Sequence, residues 1–110
     1  MIRHTILFKM KSTTSAEEID HAINSMCDLQ NKLPGILRII AGECYFHDDK
    51  STSFFSEGLS HGISIDFVDQ NALDRFFKDS LAHPAKDEIV NIAEGGYEGI
   101  IGFDFIDKYK

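Results

Sequence analysis

The sequence has no tryptophan and only two cysteines and two prolines in 110 residues. Cys27 and Cys44 match no paired-ligand spacing such as CxxC, which excludes the usual zinc and dithiol motifs. Both read as reduced, small apolar residues, Cys27 on a helix and Cys44 on a strand. No apolar run approaches the ~20 residues that a membrane-spanning helix needs, so no membrane partner is expected. The opening MIRHTILFKMK is too short and too charged for a secretory signal, and a cytoplasmic location is expected. Basic residues are the minority. Eleven Lys and Arg face 18 Asp and Glu, for a net charge of -7, with no basic cluster. Such a surface repels a phosphate backbone and excludes nucleic acid as the expected partner.

Apolar side chains are what the sequence does have. The hydrophobic fraction is 43%, with nine phenylalanines and three tyrosines, ample for one core. The length is that of a single domain, taken as residues 1–110.

In MIRHTILFKMK, Ile2, His4, Ile6, Phe8 and Met10 share one face and Arg3, Thr5, Leu7 and Lys9 the other, the period of a strand. Ser15 and Glu18 have the capping-box form, and apolar residues then recur at helical spacing until LPG ends the helix. ILRIIAGECYFH reads as a second strand, apolar on both faces. DDKSTSFFSEGLS, residues 48–60, has no sustained period and reads as a loop, long enough to be functional, with Phe54 or Phe55 expected to be buried. HGISIDF is a third strand with His61, Ile63, Ile65 and Phe67 on one face. A helix from Asp69 to Leu81 follows, with Asp69 as its N-cap. PAKDEIVNIA predicts a third helix with Pro84 first and acids in its first turn. GG closes it, and YEGIIGFDFID is the last strand.

The order βαββα(α)β predicts an α+β, ferredoxin-like sandwich: a four-stranded antiparallel sheet with helices on one face. The first and third strands are expected to be central, adjacent and parallel. The face away from the helices would carry Leu7, Ile40, Phe46, Ile101, Phe103 and Phe105. At ~100 Å² each and about 25 cal/mol per Å², covering them would be worth up to ~15 kcal/mol before association costs. A homodimer with its sheets packed face to face is expected.

Three histidines and a carboxylate are the candidate site. On this topology His4 and His61 start neighbouring strands and point at the helix layer. The helix from Asp69 spans roughly 20 Å and the strand before it about 23 Å, so His83 should return to within about 8 Å of His61, with His4 close by. Asp104, late on the antiparallel last strand, also ends near His4. Imidazoles beside a carboxylate suit proton transfer. A metal could use the same donors, but no HxH or HxxxH spacing supports one, and none is expected. The alternative is structural, with His4 and His61 satisfied at strand ends and His83 capping a helix.

At these residues the chain resembles the stress-responsive dimeric A/B barrel (Dabb) family. The pieces that carry the resemblance are IRHTILFK, LPGI, SHGISIDF, AHPAK and GFDF. The resemblance implies a ferredoxin-like dimeric α+β barrel with a pocket between sheet and helices and no cofactor. By similarity to plant polyketide cyclases of the olivetolic acid cyclase type, His4 and His61 match pocket histidines. His83 with Pro84 matches a histidine–proline pair, and Asp104 a late-strand aspartate. Two positions depart: Lys86 stands where the cyclases have their catalytic histidine, and Ser80 where they have a tyrosine. An ammonium is a poor base unless burial lowers its pKa strongly.

Three functions remain open. The first is a Dabb-type small-molecule-binding homodimer, associated with stress, holding a partly apolar ligand among His4, His61, Ile63, Phe77, Ser80, His83, Lys86 and Asp104. The second is a cofactor-independent cyclase or lyase with His61 or His83 as base and Lys86 as oxyanion stabiliser. The third is a structural dimer without ligand.

Overall fold

The structure is a computed structural model and describes residues 1–45 and 58–109. Phe46, Phe54, Phe55 and most of the 48–60 loop therefore lie outside the described residues. The elements are β1 (Ile2–Phe8), α1 (Ala16–Cys27), a 3-10 turn (Asp28–Asn31), β2 (Ile36–Glu43), β3 (His61–Phe67), α2 (Gln70–Lys78), α3 (His83–Ile92), a second 3-10 turn (Gly96–Gly99) and β4 (Ile100–Ile106).

Local chemistry sets the helix starts. At α1 the Glu18 backbone N–H donates to Ser15 Oγ and the Ser15 N–H to Glu18 Oε1, both at 3.1 Å, a closed capping box. At α2 the Ala72 N–H donates to Asp69 Oδ1 at 2.9 Å. α2 stops at Lys78, short of the expected Leu81. There the Asp79 carboxylate accepts from the Leu81 N–H at 2.9 Å and turns the chain out of the helix. α3 starts at His83, one residue earlier than expected, so Pro84 is second and Asp87 and Glu88 lie beyond the first turn. Gly35 (φ +87°) carries the chain from α1 into β2. A Cβ there would stand 2.5 Å from that of Ala72, so only glycine allows this approach to α2.

The strand order is β2-β3-β1-β4, and every neighbouring pair is antiparallel. The expectation of parallel first and third strands is thereby corrected. α1 returns the chain so that β2 runs parallel to β1 across a gap of one strand. β3 fills that gap directly from β2, so it must oppose both neighbours.

Cross-strand pairs divide the sheet into two faces. On the helix side, Ile2, His4, Ile6 and Phe8 stand opposite Phe67, Ile65, Ile63 and His61. There Ile63, Ile65, Phe67 and Phe8 join Met26, Leu29, Leu73, Phe76 and Ile89 in one buried cluster. The other face consists of three rows: Arg38–Asp66–Arg3–Phe105, Ile40–Ser64–Thr5–Phe103 and Gly42–Gly62–Leu7–Ile101. Its apolar members Ile40, Ile101, Phe103 and Phe105 are 40% to 58% exposed. Its polar centre is paired within the chain. Arg3 donates to both Asp66 oxygens at 2.7 and 3.0 Å, and the Thr5 and Ser64 hydroxyls are 2.9 Å apart.

The hydrogen bonds from Arg3, with its charge and that of Arg38, outweigh burial and hold the Asp66 carboxyl below its ordinary 3.8. A depressed carboxylate gives stability that is present above the unfolded pKa and lost as pH falls through the folded one. Acidification below about pH 4 should therefore lower the urea midpoint of the wild type. Asp66→Asn should be weaker at pH 7 and should lose less on acidification. Parallel pH profiles for the two proteins would remove this pair from the acid transition.

Candidate functional site

Between the helix-side face of the sheet and helices α2 and α3 lies a cleft of about 500 Å³. Its floor is apolar, from Ile6, Ile65 and Ile100 of the strands and Met26, Ile89 and Val90 of the helices. The polar members of its lining are His4, His83, Lys86, Asp87 and Tyr97.

His4 is fixed by the register. It stands opposite Asp104 on β4, and its Nδ1 lies 2.6 Å from Asp104 Oδ1. An ionised Asp104 accepts the Nδ1 proton, which leaves the Nε2 lone pair as the free end of the ring. The ring meets Phe77 edge-on at 5.3 Å and lies 6.3 Å from Phe76. An imidazole oriented in this way can take a proton from a bound molecule or donate one to it.

Lys86 reaches back along α3 and donates to the Phe76 carbonyl at 2.9 Å, one of the last-turn oxygens that α2 leaves unpaired. Its ammonium also sits 4.2 Å from the Phe76 ring centre and 5.0 Å from that of Phe77. Burial pushes its pKa down, with Asp79 acting in the opposite sense. Lys86 is therefore a held cation at the edge of an aromatic wall. His83 is exposed, first in α3, and its helix start has no side-chain cap bond, so capping does not account for it. Asp87 lies one turn on, at the helical spacing that puts the two on one face.

Of the eight residues expected at the site, His4, Phe77, His83 and Lys86 line the cleft and Asp104 stands behind His4. His61, Ile63 and Ser80 are not in its lining. His61 is paired opposite Phe8, its ring stacked on that of Phe8 at 6.1 Å and its Nδ1 2.9 Å from Ser60 Oγ. Ile63 is core, at 1% exposure, and Ser80 is exposed in the turn between α2 and α3. The expected meeting of three histidines is corrected on two grounds. Because β1 and β3 are antiparallel, His4 faces Ile65, four residues or about 13 Å along the strand from His61. α2, at nine residues, returns only about 13 Å of the ~23 Å strand, so His83 arrives level with His4.

Tyr97 and Phe76 were not expected at the site. Gly95 and Gly96 both have left-handed backbones (φ 73° and 66°), and the turn they make carries Tyr97 to the cleft, 76% exposed. The signal is the GGYEG string, which two adjacent glycines mark as a tight turn. Both thiols have raised pKa values through burial, Cys27 also through Asp28, so neither is an activated nucleophile. Among the described residues no helix is long and apolar enough to cross a membrane.

Similar folds recur among solved structures. A protein of Arabidopsis thaliana is 14% identical with a TM-score of 0.84, over 100% of this chain and 98% of that one. A dimeric ferredoxin-like protein of unknown function from Jannaschia sp. CCS1 is 22% identical with a TM-score of 0.82, over 96% and 97%. Hydroxynitrile lyase from Passiflora edulis is 20% identical with a TM-score of 0.79, over 99% and 96%. At these identities the shared property is the fold. No curated protein matches the chain. The sequence profile of the Stress responsive A/B Barrel Domain matches residues 2–107, nearly the whole chain, including both strands that carry the His4–Asp104 pair. On that match this chain belongs to the stress responsive A/B barrel, or Dabb, family.

Proposed function

We propose that this chain is a cytoplasmic, homodimeric binding protein for a small, partly apolar molecule with an acidic or carbonyl head. One observation carries the reading: an open cleft of about 500 Å³ lined mostly by apolar side chains, with His4, His83 and Lys86 among its few polar groups. That size falls within the ~300–1,000 Å³ of small-molecule sites, and a few convergent polar groups on an apolar lining are their usual chemistry. An open cleft also favours a ligand over a purely structural dimer. The stress association rests on the family's description. The dimer rests on the apolar open face and on the dimeric neighbours of the same fold.

The His4–Asp104 contact at 2.6 Å favours a second reading, cofactor-independent proton transfer. In it His4 Nε2 takes a proton from a hydroxyl or an activated carbon, and the Lys86 ammonium steadies the oxyanion that forms. The base is then His4 rather than His61 or His83. A neighbour of the same fold is a hydroxynitrile lyase, which makes an aromatic cyanohydrin a reasonable first substrate.

Calorimetric titration with 2-naphthoate tests the binding reading. One molecule per chain should bind. Val90→Trp, which fills the cleft, should abolish binding, and Lys86→Met should weaken it about tenfold. Absence of heat at millimolar naphthoate, or equal affinity in the Val90→Trp protein, would count against the cleft. For the second reading, cyanide release from mandelonitrile should fall at least ~100-fold in His4→Ala, the usual range for a lost general base. A rate no higher than that of buffer in the wild type would dismiss it.

A further inference from the structure

A primary amine in an apolar cleft is a nucleophile as well as a cation. α3 carries His83, Lys86, Asp87 and Val90 at helical spacing, so one face of the helix turns all four to the cleft. The Lys86 amine donates to the Phe76 carbonyl at 2.9 Å and lies over the rings of Phe76 and Phe77. The His4 imidazole stands against the same two rings. An amine, an apolar surface and a proton carrier thus meet at one pair of phenylalanines.

We infer that Lys86 captures the carbonyl of a partly apolar aldehyde as an imine and so holds the ligand covalently and reversibly in the cleft. The inference rests on the binding reading given under Proposed function and narrows its ligand to an aldehyde head. Lys86 first gives up one ammonium proton. The Nζ lone pair attacks the carbonyl carbon, a C–N bond forms, and the C=O π pair moves to oxygen. That oxygen takes a proton that the nitrogen loses, which gives the carbinolamine. The C–O bond then breaks, and the hydroxyl leaves as water with the remaining nitrogen proton. Nothing is oxidised or reduced. His4 Nε2, with its lone pair free, and water in the open cleft carry these protons.

The hydrogen bond to Phe76 is compatible with every stage. The neutral amine keeps one N–H for that carbonyl and still has its lone pair for the carbonyl carbon of the ligand. The imine, once protonated, donates its N–H in the amine's place. Burial favours the attacking form by lowering the Lys86 pKa, while Asp79 at the end of α2 favours the ammonium. The other titratable groups around the cleft are His83 and Asp87 on α3, His4 with Asp104 behind it, and Tyr97.

Reductive trapping reads the imine directly. The protein is treated at neutral pH with 2-naphthaldehyde and cyanoborohydride, and peptide mass mapping locates the naphthylmethyl groups. Lys86 should be labelled at least ~10-fold faster than the lysines outside the cleft. Excess 2-naphthoate, or Val90→Trp, should abolish that preference. Lys86→Met should lose the fast label and keep only the slow background on surface lysines. Should Lys86→Met fold poorly, Lys86→Arg keeps the cation and carries the same test, with naphthoate still bound and the label lost. A lysine that only caps α2 would change stability in these variants but would show no preferred label. Naphthoate binding without preferred labelling of Lys86 overturns the imine and leaves the binding reading standing. A Lys86 label that neither naphthoate nor Val90→Trp reduces puts the reaction outside the cleft and overturns the inference as well. Absence of both naphthoate binding and labelling overturns the imine and the cleft together.

Discussion

Phe103→Asp is expected to convert the dimer into folded monomers. Phe103 lies in the middle of β4, 40% exposed, in the row with Thr5, Ser64 and Ile40 and outside the buried core cluster. Its replacement should leave each chain's own core intact. In a face-to-face dimer the new carboxylate would be stripped of water twice, once in each copy, while Arg3, one row along the same face, is already held by Asp66. Each such burial costs several kcal/mol, so the Kd should rise by at least ~1,000-fold, about 4 kcal/mol. Light scattering behind size exclusion reads the mass directly, and circular dichroism checks that the monomer is folded. A Phe103→Asp protein that elutes as a dimer at low micromolar concentration would place the interface elsewhere.

Phe76→Ala should be the most damaging single change on the helix side. The ring is 3% exposed and packs at 5.3 Å on Phe67 and 5.7 Å on Phe77, with the Lys86 ammonium 4.2 Å above it. Removing a buried phenyl costs ~3–5 kcal/mol, a large share of the ~5–15 kcal/mol that holds a domain of this size folded. Urea unfolding of Phe76→Ala should show that loss, and naphthoate affinity should fall with it because Lys86 and the cleft wall lose their support. Phe77→Ala is the contrast. That ring is 47% exposed and stands edge-on to His4, so its removal should cost little stability while weakening the ligand. A loss under ~1 kcal/mol in Phe76→Ala would show that the ring does not hold the α2 interface.

The parts of the fold that local chemistry decides were legible in the sequence. Period two in residues 2–10, the Ser15–Glu18 box, the Asp69 cap and the double glycine at 95 and 96 each mark a real boundary. The His4–Asp104 pair was legible too, because the antiparallel course of the last strand against the first brings those ends together. What failed was relative direction. Adjacent strands of an all-antiparallel sheet must oppose each other, so the expected antiparallel sheet already required β1 and β3 to run in opposite directions, and the parallel expectation was at odds with it. That one direction sends His61 to Phe8 instead of to His4. The end of α2 failed for a smaller reason: Leu81 continues the apolar stripe but is 61% exposed, because the Asp79 turn takes it off the helix. Tyr97 was missed because an exposed tyrosine carries no periodic signal, and the left-handed glycines that aim it act only in three dimensions.

The cleft as a ligand site is the central claim, and amide chemical-shift mapping tests it most directly. With 2-naphthoate added to nitrogen-15-labelled protein, the account predicts saturable shifts confined to His4, Ile65, Phe76, Phe77, Lys86, Val90 and Tyr97, with His61 and the Gly42–Gly62 face unmoved. Shifts centred on His61 or on the open face of the sheet, with the cleft residues silent, would contradict it.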